Sequence, residues 1–411
     1  MSRKTFFIGL ILVFFCLLMA EETISLEFLV QKALDKSLSI EAELLQYKNQ
    51  ASSYKQSLYS WLPRANVNIS KSWQNSEWQN ASGGFAANWS ISSNDGRYFD
   101  MRRQMIEMMN SNLSLEDVKK NIAFNVLSRF IDVLNAADMV ELQQEVLAVE
   151  EKKYLRIKTQ QELGEINRLD LEQAQIDKIQ AEISLNDLML SVENKRAELF
   201  YYCGSEDQNI SLQQIDVQIN AQPAEYQPNL QYQIMQKSMT STKLMQDQSF
   251  LELLPTLSLN WNYSRNSMDG LSEFDLYSEN AEVSLMLSYP IFDIFNNYQS
   301  LQIARRQFQF YQRQLIDQQL NDQKELNSLN KSLDSQNRNL QLYNLKAELA
   351  EKILQRAQVE YDQGTISILD FNEYQNRLYS ARKNQILEHY RLLETQEKIN
   401  LLLSNDIMGK W

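Results

Sequence analysis

Four segments of this 411-residue chain alternate apolar and polar residues with a period of two, the mark of a strand with two unlike faces. Ala65, Val67, Ile69 and Trp73 interleave with Asn66, Asn68, Ser70, Ser72 and Gln74, and Phe85, Ala87, Trp89 and Ile91 with Ala86, Asn88, Ser90 and Ser92. Further along, Leu257, Leu259, Trp261 and Tyr263 alternate with Thr256, Ser258, Asn260, Asn262 and Ser264. Val283, Leu285, Leu287 and Tyr289 alternate with Glu282, Ser284, Met286 and Ser288, and Pro290 ends that strand. Each run is about 9–10 residues, the length at which a tilted strand crosses a bilayer. Trp61, Trp73, Trp78, Trp89 and Trp261 lie in or beside the runs. An indole suits the boundary between water and hydrocarbon, so Trp73, Trp89, Trp261, Tyr263 and Tyr289 are the candidate membrane-interface aromatics. The competing reading is a half-buried sheet with one wetted face.

Between the strand pairs the pattern changes to that of long helices. No Gly or Pro occurs from Arg97 to Leu163 or from Ile291 to Gln363, and Glu165 to Cys203 and Thr365 to Met408 are equally free of breakers. Helices of about 55–60 residues, reaching roughly 80–90 Å, are expected. Leu171, Ala174, Lys178, Ala181, Leu185, Leu188 and Val192 advance in alternating steps of three and four, the narrow seam of a coiled coil.

The chain states this plan twice: helix, two strands, long helix, Gly turn, helix. Tyr59-Ser60-Trp61-Leu62-Pro63 precedes the first strand pair and Leu251-Glu252-Leu253-Leu254-Pro255 the second. Gly164-Glu165-Ile166-Asn167-Arg168-Leu169-Asp170 matches Gly364-Thr365-Ile366-Ser367-Ile368-Leu369-Asp370, with Gln175 and Gln375 in register. The expected division is a first repeat over 21–203, a linker over 204–228 and a second repeat over 229–411. Residues 1–20 have the three-part form of a secretory signal peptide: Arg3 and Lys4, an apolar run from Phe6 to Met19, then Ala20.

Composition narrows the chemistry. Nine Gly and five Pro leave few turns, and a single histidine, His389, makes a His-ligated metal site or a catalytic triad a poor expectation. Neither a Rossmann nor a P-loop motif is present, so no cofactor and no enzymatic activity are expected. The net charge of −13 excludes nucleic acid as the partner.

Four strands cannot close a barrel, and each edge N–H or C=O left in hydrocarbon costs several kcal/mol. Oligomerisation follows, and three copies give twelve strands with room for water. At this point the sequence resembles the outer-membrane efflux protein family of the TolC type, on its two-fold repeat, Leu-Pro strand entries and both Gly-x-x-x-x-x-Asp turns. The resemblance implies a mainly α fold with β. A trimeric outer-membrane β-barrel of four strands per chain continues into a long periplasmic α-helical barrel built from two repeats. It further implies a homotrimer in outer-membrane lipid, working with a periplasmic adaptor (membrane fusion) protein and an inner-membrane transporter, in efflux or type I secretion. By the same resemblance the turns form the periplasmic tip. Asp170, Asp370 and Glu373 are then gate candidates, and Gly164, Glu165, Ile166, Gly364, Thr365 and Ile366 form the hairpin-tip turns and the adaptor contact. Asn167 and Ser367 with their acidic partners also read as helix N-caps. In the first half Ser92-Ser93-Asn94-Asp95-Gly96 stands where the second half has Tyr289-Pro290-Ile291-Phe292, which puts the end of the second strand in doubt. An exported coiled-coil structural protein, or an adaptor without a pore, is the alternative.

Overall fold

The computed structural model describes residues 24–71, 73–74, 77–78, 82–164, 166–206, 212–213, 223–267, 277–289 and 291–410. The expected leader over 1–20, tip residue Glu165, Pro290 and much of the linker lie outside the described residues.

In chain order the elements are α1 (Leu26–Lys36), α2 (Leu38–Tyr59), β1 (Arg64–Ser70), β2 (Trp73–Gln74), β3 (Glu77–Trp78) and β4 (Ser82–Ser92). Next come α3 (Gly96–Glu162), α4 (Arg168–Tyr202), α5 (Leu230–Leu251), β5 (Thr256–Ser267), β6 (Tyr277–Ser288), α6 (Ile294–Asp362) and α7 (Ile368–Leu402). The repeat shows in the element lengths: α2 and α5 have 22 residues each, α4 and α7 have 35 each. The two long helices have 67 and 69 residues, more than the 55–60 expected. They are longer because nothing in their sequence interrupts them: α3 starts directly at Gly96, one turn after β4.

The chain folds as two compact units that each draw on both repeats. One comprises Ser39–Asp117 and Pro228–Asn321 and holds the strands. Its four-stranded antiparallel sheet has the order β1-β4-β5-β6, which leaves β1 and β6 as its edges. The strands of this sheet contain 7, 11, 12 and 12 residues, so the uniform length read from the alternation is corrected at both ends of the range. Pairing extends past the legible alternation because ladder bonds do not depend on the side chains that made it legible.

Register confirms the two-faced reading. Val67 lies opposite Phe85, Trp89 opposite Trp261, Trp261 opposite Val283, and Leu259 between Ile91 and Leu285. Side chains alternate along a strand, so Val67, Phe85, Trp89, Ile91, Leu259, Trp261, Val283 and Leu285 share one face, which Arg265 and Glu279 also join in line with Phe85, while Asn68, Asn88, Asn262 and Ser284 share the other with Met286. The same hydrogen bonds lead into both strand pairs. Trp61 and Leu62 donate to the oxygens of Leu58 and Tyr59, and Leu253 and Leu254 to those of Phe250 and Leu251.

The other unit comprises Met1–Leu38, Val118–Gln227 and Asp322–Trp411. Leu326, Leu333, Leu392, Ile399 and Leu403 form a buried cluster between α6 and α7. Chain segments outside the helices are fastened to them. Asn330 exchanges two hydrogen bonds with the backbone of Ala224 at 3.1 and 2.9 Å, and the buried Glu397 accepts from the Met408 N–H at 2.9 Å.

Candidate functional site

The two Gly turns are built alike. Gly164 and Gly364 have φ of +78° and +73°, the left-handed region that glycine enters at little cost. Each closes the preceding helix with its own N–H, Gly164 to Gln161 and Gly364 to Tyr361, both at 3.0 Å. After each turn a polar side chain caps the next helix. Asn167 Oδ1 accepts from the Leu169 N–H at 2.8 Å. Ser367 Oγ accepts from the Asp370 N–H at 3.2 Å, while the Asp370 carboxylate accepts from the Ser367 N–H and hydroxyl at 3.3 and 2.7 Å.

Among the gate candidates, Asp370 is therefore a reciprocal cap, and the exposed Glu373 pairs with Arg377 one turn on along α7. Asp170 is half-buried in the first turn of α4. The single chain does not gather the three into a cluster, and among the described residues no group of three or more His, Cys, Asp or Glu could hold a metal ion. Of the tip residues, Gly164, Gly364 and Thr365 are exposed, whereas Ile166 and Ile366 are half-buried.

Sequence reasoning missed the residues that join the two hairpins behind these turns. Arg156 of α3 pairs with Asp362 at the end of α6 and lies 5.0 Å from the centre of the Tyr361 ring. Tyr361 in turn stacks on Phe371 of α7, at 5.0 Å and 13°. The Arg156 hydrogen bond holds the Asp362 carboxyl below its usual range, while burial pushes the Tyr361 hydroxyl up, with Asp170 and Asp362 adding to the shift. Farther from the turns, buried Lys153 meets Glu150 at 2.5 Å, Asp177 of α4 at 3.2 Å and Asn372 of α7 at 2.9 Å. These residues line a cleft of about 410 Å³ together with Gln143, Ala181, Gln375 and Arg382. No local pattern marks an Arg or Lys on a long polar helix whose partners lie two hundred residues away.

At the sheet, Trp89 donates its indole N–H to the Trp61 oxygen at 2.9 Å, and Trp261 stacks on Tyr263 at 6.5 Å and 13°. Trp89 and Trp261 form a row near the middle of β5, while exposed Trp73 and Tyr289 lie beyond the ends of β1 and β6. The doubtful end of β4 is resolved. Ser93 continues the pairing, its N–H to the Leu257 oxygen at 2.8 Å and its hydroxyl accepting from Leu257 N–H at 3.1 Å. Arg97 then clamps the turn by bonding Asp95 and the oxygens of Ser60 and Ser90. In the second half Asn297 takes the part of Arg97, reaching the Glu252 oxygen at 2.9 Å.

Single residues motivate no chemistry. His389 is exposed on α7. Cys203 is buried at the end of α4, where burial pushes its thiol up to about 11.

A two-faced antiparallel sheet with two repeated long helical hairpins is the fold of outer-membrane channels. The structure aligns with the open state of the Neisseria gonorrhoeae MtrE outer membrane channel at a TM-score of 0.79 and 14% identity, covering 94% of this chain and 90% of that one. It aligns with the outer membrane protein VceC of Vibrio cholerae at 0.75 and 14%, covering 94% and 96%. With CusC the TM-score is 0.79 at 16% identity, covering 93% and 92%. By sequence, residues 247–405 match the family model of the outer membrane efflux protein. No curated protein matches the sequence. The resemblance drawn from the paired turns and the expected fold class are borne out: the second half carries the outer membrane efflux protein signature, and nearly the whole chain has the corresponding fold.

Proposed function

We propose that the chain is one third of a homotrimeric channel in the outer membrane, through which substrates pass without chemistry. The observation that carries this reading is the sheet with one largely apolar face and two edges, β1 and β6, that have no outer strand partner among the described residues. In lipid those edges must be paired, and three copies meeting β1 to β6 satisfy every edge in a twelve-stranded barrel. The polar face then lines a wet passage. The hairpins stand in the periplasm, where a periplasmic adaptor and an inner-membrane transporter supply substrate in efflux or type I secretion. Three copies each of Asp170, Asp370 and Glu373 near the turns would favour cations and make passage sensitive to pH and divalent ions. A poreless coiled-coil protein would have no use for an apolar sheet face with matched register across four strands.

The test is extraction and conductance. The protein should leave membranes only with detergent, run as a trimer and form cation-selective pores in planar bilayers, with selectivity reduced in Asp170→Asn and Asp370→Asn. A monomer soluble in buffer and without conductance overturns the channel. Unchanged selectivity in both variants overturns the gate alone.

A further inference from the structure

The four-stranded sheet places charge differently on its two faces. Its polar face presents Asn, Ser and Thr side chains with Gly84, Ala86 and Met286 among them, and among the described residues it carries two charges, Arg64 on β1 and Glu282 on β6. Both belong to a single row across the sheet. Arg64 lies opposite Asn88, Asn88 opposite Asn262, and Asn262 opposite Glu282, and all four residues are exposed. Arg64 and Glu282 therefore stand at the two ends of the row, three strand spacings or about 14 Å apart, with two asparagines between them.

On the largely apolar face the charges are side by side instead. Arg265 lies directly opposite Glu279, and Glu279 also accepts from the Tyr263 hydroxyl at 3.0 Å. Opposite charges facing each other across a strand pair are mutually stabilising, and a lone charge on a lipid-facing strand is penalised. Charges kept apart on the other face need water around them, which the inside of a barrel supplies. Strands of a membrane barrel tilt by about 40°, so the ends of a 14 Å row differ in height by about 9 Å. Twelve strands set the backbone about 12 Å from the barrel axis. Inward side chains shorten that distance to about the 10 Å over which a charge acts in 0.1 M salt.

We infer that Arg64 and Glu282 are charge-selecting residues of the barrel, acting on small inorganic ions as they pass. Three copies of each make a basic ring and an acidic ring at separate heights on an otherwise neutral Asn and Ser wall. Each ring changes the local concentration of a monovalent ion by about twofold in 0.1 M salt, Glu282 in favour of cations and Arg64 in favour of anions. This rests on the trimeric channel proposed above and adds to it a second place, in the sheet rather than at the Gly turns, where ions are sorted.

Reversal potentials of the full-length protein in planar bilayers, under a KCl gradient near 0.1 M, test it. The measurement is made in an Asp170→Asn/Asp370→Asn/Glu373→Gln background, so that carboxylates near the turns do not dominate. Adding Glu282→Gln should lower the potassium-to-chloride permeability ratio by about two- to fourfold, and adding Arg64→Gln should raise it by a similar factor. Both shifts should fade near 1 M, where the screening length is about 3 Å. Asn88→Asp adds a charge to the same row and removes none. It should act in the direction of Arg64→Gln, and it is read in their place should the other two fail to assemble. If the channel conducts but none of the three substitutions moves the ratio, or the shifts persist at 1 M, the rings are wrong and the channel stands. If wild type is monomeric and does not conduct, both fall.

Discussion

The Tyr390 hydroxyl donates to the Asp138 carboxylate at 2.8 Å, tying α7 of the second hairpin to α3 of the first at matched distance from the two turns. Burial and the carboxylate both push the Tyr390 hydroxyl well above its ordinary value, so it stays protonated and donating across physiological pH. Tyr390→Phe removes the bond and leaves a half-buried carboxylate short of one donor. A loss of about 1–2 kcal/mol is expected, read as a fall of a few degrees in the thermal midpoint of the detergent-purified protein. An unchanged midpoint would mean that the contact contributes nothing.

Lys153 is the buried centre of a charged network, with Glu150, Asp177 and Asn372 as its partners. Lys153→Met strands two carboxylates and should cost about 3 kcal/mol, the scale for breaking a buried pair. Adding Asp177→Leu should restore part of that loss, because the second carboxylate then needs no counter-charge. A double variant as unstable as the sum of the singles would sink the network as a coupled unit.

Asp95 at the end of β4 has its carboxyl held below the ordinary 3.8 by the hydrogen bonds of Arg97. A lowered folded-state value means that the contribution is fully present above about pH 4 and is lost as pH falls through the folded value. Acid titration of wild type should therefore show a steeper loss of stability below that pH than Asp95→Asn. Parallel curves for the two proteins would remove Asp95 from the account.

Asp370 both caps α7 and carries a charge near the second turn, and the two roles separate by mutation. Ser367→Ala breaks the cap and keeps the carboxylate, so stability should drop by about 1 kcal/mol with ion selectivity unchanged. Asp370→Asn alters selectivity if the charge lines the passage. Equal selectivity changes in both variants would show that helix position, and not charge, sets conduction.

Where side chains obey a local period, the chain could be read directly. The alternation of Val67, Ile69, Trp89, Leu259 and Leu285 predicted one apolar sheet face, and Gly164 and Gly364 marked turns that only a left-handed residue closes cheaply. The Ala174 and Ala181 seam was legible for the same reason. What escaped were contacts between elements distant in sequence. Arg156 with Asp362, and Lys153 with Asn372, involve residues that look like ordinary solvated positions on their own helices. Strand ends were blurred as well, since Ser93 pairs through its backbone and hydroxyl without any apolar signal.

Cys203 has one further consequence. Its sulfur is buried and its thiol is held up to about 11, so at neutral pH almost none of it is the reactive thiolate. Cys203, the one cysteine among the described residues, is therefore a quiet neighbour for site-directed probes: a dye or spin label offered to a newly placed exposed cysteine would meet little competition from it.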